Sequence, residues 1–238
     1  MVEPDKSLLE EIGACIAKVK VFHESHNRRI ANFIKRSRKG RQGLERLAEF
    51  GVPIAEDFQA LYWNYNGTNQ RSSMSMWAAA VFLDFEWYPW DSIIISTEES
   101  FARSDLPVTD RLLAFRGDQG LDLDTAPFLA SEGATPLVVS IAPLSEKTFI
   151  AFDSTIAFLR SVCGAQDAGI IWFEEDKASY KLDEFWDVAK EFNTRAEYWP
   201  LMLQDKLDWE EIEYDEDDLT IEPAVARIIS KALKGGPD

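Results

Sequence analysis

The sequence predicts an α+β fold with N-terminal helices, a central, mainly antiparallel sheet of five or six strands, and C-terminal helices. Three observations predict it. Apolar residues recur at helical spacing over residues 7–65, short apolar or alternating runs fill residues 78–153, and helical patterns return after residue 154. Helices on both sides of a block of hairpin-linked strands are typical of this fold class.

The first predicted helix begins at Ser7 and reaches about residue 26. Ser7 and Glu10 have the spacing of a capping box, in which each side chain satisfies a free backbone N–H. Apolar side chains then follow at helical spacing, at Leu9, Ile12, Ile16 and Val19. Residues 30–34 extend this pattern, and a basic loop with the sequence KRSRKGRQG is predicted to follow.

The next two predicted helices are separated by Gly51 and Pro53. A short helix over residues 44–50 stops at Gly51, because glycine adopts the left-handed conformation readily and proline cannot continue a helix. The third helix then carries one apolar face, formed by Phe58, Leu61, Tyr62 and Tyr65.

The third helix is expected to end at Asn66 and Gly67, a pair that suits a left-handed stop. Its acidic first turn, Glu56 and Asp57, is favoured by the helix dipole. Trp63 lies off the apolar face, so we expect it to be the exposed ring of this helix and a candidate contact for a partner.

Six short runs in the middle of the chain are predicted as strands because Gly, Pro and Asp bound them. They are AAVFLDFEWYPW, SIIIS, RLLAFRG, GLDLDT, TPLVVSIAP and KTFIAFD. Ser154 is the expected N-cap of a helix over residues 154–162. Three further helices are predicted over about residues 181–193, 195–213 and 222–233.

The net charge of −17 argues against nucleic acid and anionic membranes as partners. The first 14 residues carry acids where a signal peptide needs a basic start, and the longest apolar stretch, residues 76–83, is too short to span a bilayer. We therefore expect a cytoplasmic protein.

Few residues suggest catalysis or metal binding. Cys15 and Cys163 lie in apolar surroundings and are expected to be buried without a role. His23 and His26 are three residues apart on a helix, but no third metal ligand is evident. No phosphate-binding glycine loop or nucleophile elbow is present. We expect no enzyme activity, no metal and no cofactor.

A dense acidic segment, residues 205–222, has a net charge of −9 from ten Asp and Glu and one Lys. One interpretation is a solvated helix end. The other is a surface for a basic protein, because opposite charge steers association and aromatic rings supply binding energy. The candidate contacts are Asp208, Trp209, Glu210, Glu211, Glu213, Tyr214, Asp215, Glu216, Asp217 and Asp218.

A basic segment, residues 16–46, has a net charge of +8 from ten Lys and Arg and two Glu. Its densest part, residues 35–46, could bind phosphate or RNA, or pair internally with the acidic segment. We favour a solvated loop or internal pairing, because the field of the whole protein repels nucleic acid.

The order of motifs resembles one known family. The segment LERLAEFGVPIAEDFQALYWNYNGT resembles the opening of the SUKH superfamily, the Smi/Knr-like domain, and similar order continues through about residues 40–163. The matching positions are Gly51, Pro53, Glu56, Asp57, Phe58, Tyr62, Asn66 and Gly67. The resemblance implies a SUKH-like α+β domain over residues 1–165, with residues 166–238 as a helical, acidic extension packed on it.

The same resemblance implies a non-enzymatic binding domain. Members in bacteria are similar to immunity proteins that neutralise a cognate toxin, often a nuclease, by direct binding. The expected partner is therefore another protein, a basic toxin domain. Two alternatives remain open: a regulatory or scaffold protein that binds a cellular partner, and a hydrolase that uses two carboxylates.

Overall fold

A computed structural model describes residues 2–49, 54–68, 74, 76–83, 86–87, 89, 112–114, 116–117, 127–130, 137–142 and 147–204. A 3₁₀ helix, Arg29–Phe33, follows the first α-helix. The α-helices are, in chain order, α1 (Lys6–Ser25), α2 (Lys39–Glu49), α3 (Glu56–Trp63), α4 (Met76–Ala79), α5 (Thr155–Asp167), α6 (Leu182–Ala189) and α7 (Tyr198–Leu203).

The described strands form one four-stranded antiparallel sheet and two separate antiparallel pairs. The larger sheet has the order β2-β4-β5-β6, and the pairs are β1-β3 and β7-β8. The strands are β1 (Glu86–Trp87), β2 (Leu112–Ala114), β3 (Arg116–Gly117), β4 (Pro127–Ala130), β5 (Leu137–Ala142), β6 (Lys147–Phe152), β7 (Trp172–Glu174) and β8 (Lys177–Ser179).

The predicted fold class is therefore wrong. No central sheet of five or six strands exists among the described residues, and helices occupy more of them than strands do. The physical reason is that several apolar runs do not pair in one sheet. The run at residues 79–90 begins at the last residue of α4, and among the described strands its strand β1 pairs only with β3. The predicted runs at residues 92–96 and 120–125 lie outside the described residues.

The aromatic helix α3 matches its predicted face. Phe58, Leu61, Tyr62 and Tyr65 are all buried, as the helical spacing requires. The helix ends three residues earlier than expected, at Trp63, and the chain reverses afterwards. Gly67 has φ 64°, so the predicted left-handed position is confirmed there.

The caps of two helices test the predicted termini. The capping box at Ser7 is wrong, because Asp5 is the N-cap of α1 and its Oδ1 accepts hydrogen bonds from the N–H groups of Ser7 and Leu8. A carboxylate two residues upstream supplies the acceptor that serine was expected to supply. The predicted cap of α5 is confirmed, since Ser154 Oγ accepts from Ala157 N at 3.1 Å.

Two helical predictions near the N-terminus need correction. α2 begins at Lys39 instead of residue 44, so half of the predicted basic loop is helical. The continuation of α1 is broken at Asn27, whose φ of 56° ends the α-helix before the 3₁₀ turn. An asparagine tolerates this left-handed backbone better than most residues.

The described part of the predicted C-terminal extension, residues 166–204, begins with the β7–β8 hairpin, which the sequence did not predict. Helices α6 and α7 follow within the predicted helical ranges but are shorter. Phe185 and Trp199 are buried in the same hydrophobic cluster as Phe58. Residues 205–238, including the last predicted helix, lie outside the described residues.

The core is a continuous chain of aromatic contacts that joins the helices to the sheet. Tyr62 meets Trp87 at 5.9 Å between ring centres, and Trp87 meets Phe82 at 5.4 Å. Phe158 then contacts both Phe82, at 5.3 Å, and Phe152, at 5.0 Å. Three of these four contacts are edge-to-face, a packing that adds to the free energy of burial.

Candidate functional site

A groove of about 390 Å³ opens between helix α2 and the end of helix α3. We call it the Arg–Trp groove. Its lining residues are Arg38, Arg41, Gln42, Glu45, Trp63 and Asn64. It combines cations, a carboxylate, two amides and an indole, which are residue types of binding surfaces.

Backbone contacts hold the two sides of the Arg–Trp groove together. The N–H of Ser37 donates to the carbonyl of Asn64 at 2.8 Å, and Arg36 forms an isolated antiparallel bridge with Tyr65. At Gly40, a side chain would collide with the carbonyl oxygens of Tyr62 and Tyr65. Only glycine lets the first turn of α2 approach the end of α3 this closely.

Arg41 and Trp63 stack inside the groove. The Arg41 guanidinium carbon lies 4.4 Å from the centre of the Trp63 ring, a cation–π contact. Arg41 also forms an ion pair with Glu45 at 3.4 Å. The expected exposure of Trp63 is wrong: the ring is only 8% exposed, because it packs in the core and Arg41 covers its free face. Its role as a partner contact stays a prediction.

A second hollow, of about 310 Å³, is lined by other residues of the basic segment and by Tyr65. Its lining residues are Ile16, Ala17, Lys20, Ile34, Lys35, Arg36 and Tyr65. Five cations therefore surround the two openings: Lys20, Lys35, Arg36, Arg38 and Arg41. The densest part of the basic segment therefore packs at the end of α3. Residues 39–46 are helical, so the solvated loop that we favoured from the sequence is wrong for them.

The Arg–Trp groove is suited to a planar anion. Guanidinium groups present their N–H donors in a fixed fork that fits carboxylate and phosphate oxygens, and the cation–π contact with Trp63 holds the Arg41 guanidinium in place. The net charge of −17 opposes a polyanion such as nucleic acid. A single acidic side chain on another protein fits the guanidinium fork and avoids the repulsion that a polyanion would meet.

The two histidines considered as a metal pair have other partners. His23 is buried and its Nε2 lies 2.9 Å from the carbonyl oxygen of Val81, so Nε2 carries the proton. Its Nδ1 faces Nη1 of Arg28 at 3.4 Å. The ring of His26 packs on Phe22. Within the described ranges, no group of three or more His, Cys, Asp or Glu is placed to hold a metal ion.

Protonation of His23 is expected to destabilise the fold. Burial lowers the pKa of His23 from 6.5 to about 4, and the charges of Arg28 and His26 act in the same direction. The unfolded chain therefore takes up the proton first as the pH falls. Stability should be lost below pH 6.5, reaching about 3 kcal/mol near pH 4 from this residue alone.

Urea unfolding of the wild type and His23→Gln at pH 7, 5.5 and 4 measures this contribution. The glutamine amide can still donate to the Val81 carbonyl but does not titrate. The wild type should lose more stability than His23→Gln between pH 7 and pH 4, because both proteins share the other titrating groups. Equal losses in the two proteins would contradict the assigned role.

Two inward-facing carboxylates serve as structural acceptors. Asp57 accepts from the N–H groups of Phe58, at 2.8 Å, and Ile156, at 3.2 Å, and so ties α3 to the start of α5. Burial raises the pKa of this carboxyl, and these hydrogen bonds oppose the rise. Asp153 accepts from the N–H groups of Thr194 and Arg195, both at 2.9 Å.

Some of the other predicted site residues are described by the structure and some are not. The ten acidic and aromatic candidates, residues 208–211 and 213–218, lie outside the described residues, as do the family-type positions Gly51 and Pro53. The remaining family-type positions are placed in or after α3. Phe58 and Tyr62 are fully buried core residues. The Arg–Trp groove was not predicted as a unit.

No family model matches the chain, and no curated protein matches it either. In the parts of the chain that the structure describes, no helix has both the length and the apolar character needed to cross a membrane. The resemblance to the SUKH superfamily therefore rests on the sequence motifs and enters the proposal below as such.

Proposed function

We propose that this chain is a non-enzymatic binding protein of the SUKH immunity type, which neutralises a cognate toxin by direct association. The observation that carries the proposal is the Arg–Trp groove. Arginine and tryptophan dominate the energies of protein interfaces, especially where they pack together. The sequence motifs over residues 40–163 supply the second support, because they suggest the class of partner.

Three polar side chains are held by hydrogen bonds to the backbone, which favours binding over catalysis. Asp57 and Asp153 accept hydrogen bonds from backbone N–H groups that cap helices or loops, and His23 donates to a backbone carbonyl. A general acid or base needs free access to its substrate. The surface of the described chain offers instead the Arg–Trp groove, in which an exposed Arg41 stacks on Trp63.

The charge distribution supports a toxin partner with a basic surface. A nuclease must be basic to bind phosphate, and the net charge of −17 would steer such a domain towards this chain. The acidic segment, residues 205–222, would contact the basic surface. The Arg–Trp groove would then take one acidic side chain of the same partner and fix its orientation. The proposal includes no nucleic acid, membrane or cofactor.

A cytoplasmic location is part of the proposal. The two described cysteines are both free thiols, which is the usual state in a reducing compartment. Fractionation of the native host, with detection of the chain in the soluble cytoplasmic extract, tests this part separately.

Co-expression with toxins from the same genome tests the proposed function. The wild-type chain should restore growth against one of them and should co-purify with it. Arg41→Ala should weaken that complex about 30-fold, because a stacked interface arginine contributes on the order of 2 kcal/mol. Dissociation constants of purified complexes measure the effect.

Two control variants separate the groove from charge alone. Lys6→Ala removes an exposed cation that, like Arg41, pairs with a glutamate one helical turn away, but it lies outside the groove. It should bind the toxin as the wild type does. Arg41→Lys keeps the charge but loses the planar stacking, so it should bind more weakly. Wild-type affinity in Arg41→Ala would contradict the groove's role, and failure of every toxin to be neutralised would contradict the proposed function.

A further inference from the structure

The two cysteines lie opposite each other between helices α1 and α5, although 148 positions separate them in sequence. The Cys163 thiol donates to the backbone carbonyl of Cys15 at 3.6 Å. Cys163 is buried and Cys15 is half-buried, so Cys15 is the more accessible residue of the pair. This pairing was not predicted from the sequence, and the expectation that both cysteines are buried is wrong for Cys15.

Two ion pairs fix the position of the cysteines. Arg160 Nε donates to Glu11 Oε1 at 2.6 Å on one side, and Lys18 pairs with Asp167 on the other. Residues 11, 15 and 18 of α1 therefore face residues 160, 163 and 167 of α5 in the same order. The two helices run parallel here, and the thiol pair is the middle contact of three.

The surroundings activate the more exposed sulfur. The side-chain hydrogen bond with Cys163 lowers the pKa of the Cys15 thiol and outweighs burial and the charge of Glu11, which raise it. The positive charges of Arg160 and Lys18 add to the lowering. The same interaction, followed by burial, raises the pKa of the Cys163 thiol, which thus keeps its proton. A reactive cysteine needs thiolate character and access, and a second thiol beside it can resolve the oxidised product.

We propose that Cys15 and Cys163 form a peroxide-reactive pair that closes to an intramolecular disulfide bond and links α1 to α5. The Cys15 thiolate attacks the O–O bond of a hydroperoxide, which breaks. One oxygen stays on sulfur as a sulfenic acid, and the other leaves and takes a proton, as water if the oxidant is hydrogen peroxide.

The second step consumes the sulfenic acid. Cys163 loses its proton and attacks the Cys15 sulfur, so that the S–S bond forms and the S–O bond breaks. The departing hydroxide takes up the Cys163 proton and leaves as water. The peroxide is reduced by two electrons, and the two thiols are oxidised by two. The reaction is independent of the Arg–Trp groove and of the proposed toxin.

Treatment of the reduced, purified full chain with hydrogen peroxide tests the proposal. Free thiols should fall from two per chain to none, and the intact mass should fall by about 2 Da, the mass of the two hydrogens lost. A non-reducing peptide map should join the peptides that carry Cys15 and Cys163. Dithiothreitol should reverse both changes. The oxidised chain should also melt several degrees higher, because the bond closes a long loop.

Two single variants assign the roles of the sulfurs. Cys163→Ser should stop at a Cys15 sulfenic acid, seen as a gain of about 16 Da and trapped by dimedone. Cys15→Ser should stay unmodified over the same time. The proposal is overturned if two thiols remain in the wild type, if Cys15 proceeds to the sulfinic acid without crosslinking, or if the bonds formed join two chains.

Discussion

Replacing Phe158 with alanine is expected to lower the free energy of unfolding by about 4 kcal/mol, the largest effect among the changes considered. The ring is fully buried on α5 and contacts both Phe82 and Phe152. Its removal leaves a cavity where the helices meet the end of β6, and it breaks the chain of aromatic contacts. Urea denaturation followed by circular dichroism measures the loss.

Trp172→Ala is the matched control for this prediction. Trp172 is also a large aromatic residue, but it is 38% exposed on the β7–β8 hairpin. Its removal should lower the free energy of unfolding by clearly less than Phe158→Ala does, because a ring that is partly in solvent leaves no enclosed cavity behind. Similar losses for the two variants would mean that the aromatic chain is not the centre of the core.

The change Gly40→Ala is expected to lower stability by about 3 kcal/mol, although it adds only one methyl group. The new carbon would lie well inside van der Waals contact of the Tyr62 and Tyr65 carbonyl oxygens. Backbone oxygens cannot rotate away, so helix α2 must move off the end of α3. Thermal and urea unfolding of the purified variant measure the effect.

Gly13→Ala, at a second glycine within a helix, is expected to raise stability instead of lowering it. Apart from the backbone of α1 itself and the adjoining residues, no atom lies within 4 Å of the added carbon. Alanine should stabilise the chain by about 0.5 kcal/mol, since it restricts the unfolded state and has the higher helix propensity. If Gly40→Ala is as well tolerated as Gly13→Ala, the close approach that builds the Arg–Trp groove is not present.

Local sequence patterns predicted some elements of the fold well. The buried face of α3 followed from the spacing of Phe58, Leu61 and Tyr62, because periodicity reports directly which side of a helix packs. The cap at Ser154 followed from its hydroxyl before an apolar run. Strands β5 and β6 were predicted from the runs TPLVVSIAP and KTFIAFD.

Pairing between distant segments could not be derived in the same way. β4 begins at Pro127 and has no alternating pattern, so no local signal marked it as a strand. The β7–β8 hairpin turns through Glu175, whose φ of 57° is normally a position for glycine or asparagine. The composition of the central runs therefore did not show that they divide into one sheet and the separate pair β1-β3.

The candidate site could not be predicted from the sequence for a related reason. Gly40 and Gly43 lower helix propensity, and the apolar pattern starts only at Leu44, so the basic residues before it were predicted to be a loop. Their helical structure depends on packing against α3, which a single glycine permits. The pairing of Arg41 with Trp63 and of Cys15 with Cys163 likewise depends on contacts between elements that are separate in the sequence.

Titration of a neutralised toxin tests the central claim most directly. The activity of a fixed amount of toxin, identified by co-expression, is measured against increasing amounts of the purified wild-type chain. A stoichiometric binder predicts a linear fall that ends at a fixed molar ratio, with toxin activity recovered intact when the complex is separated. Complete inactivation by a small fraction of an equivalent, with the toxin permanently altered, would show turnover and contradict the account.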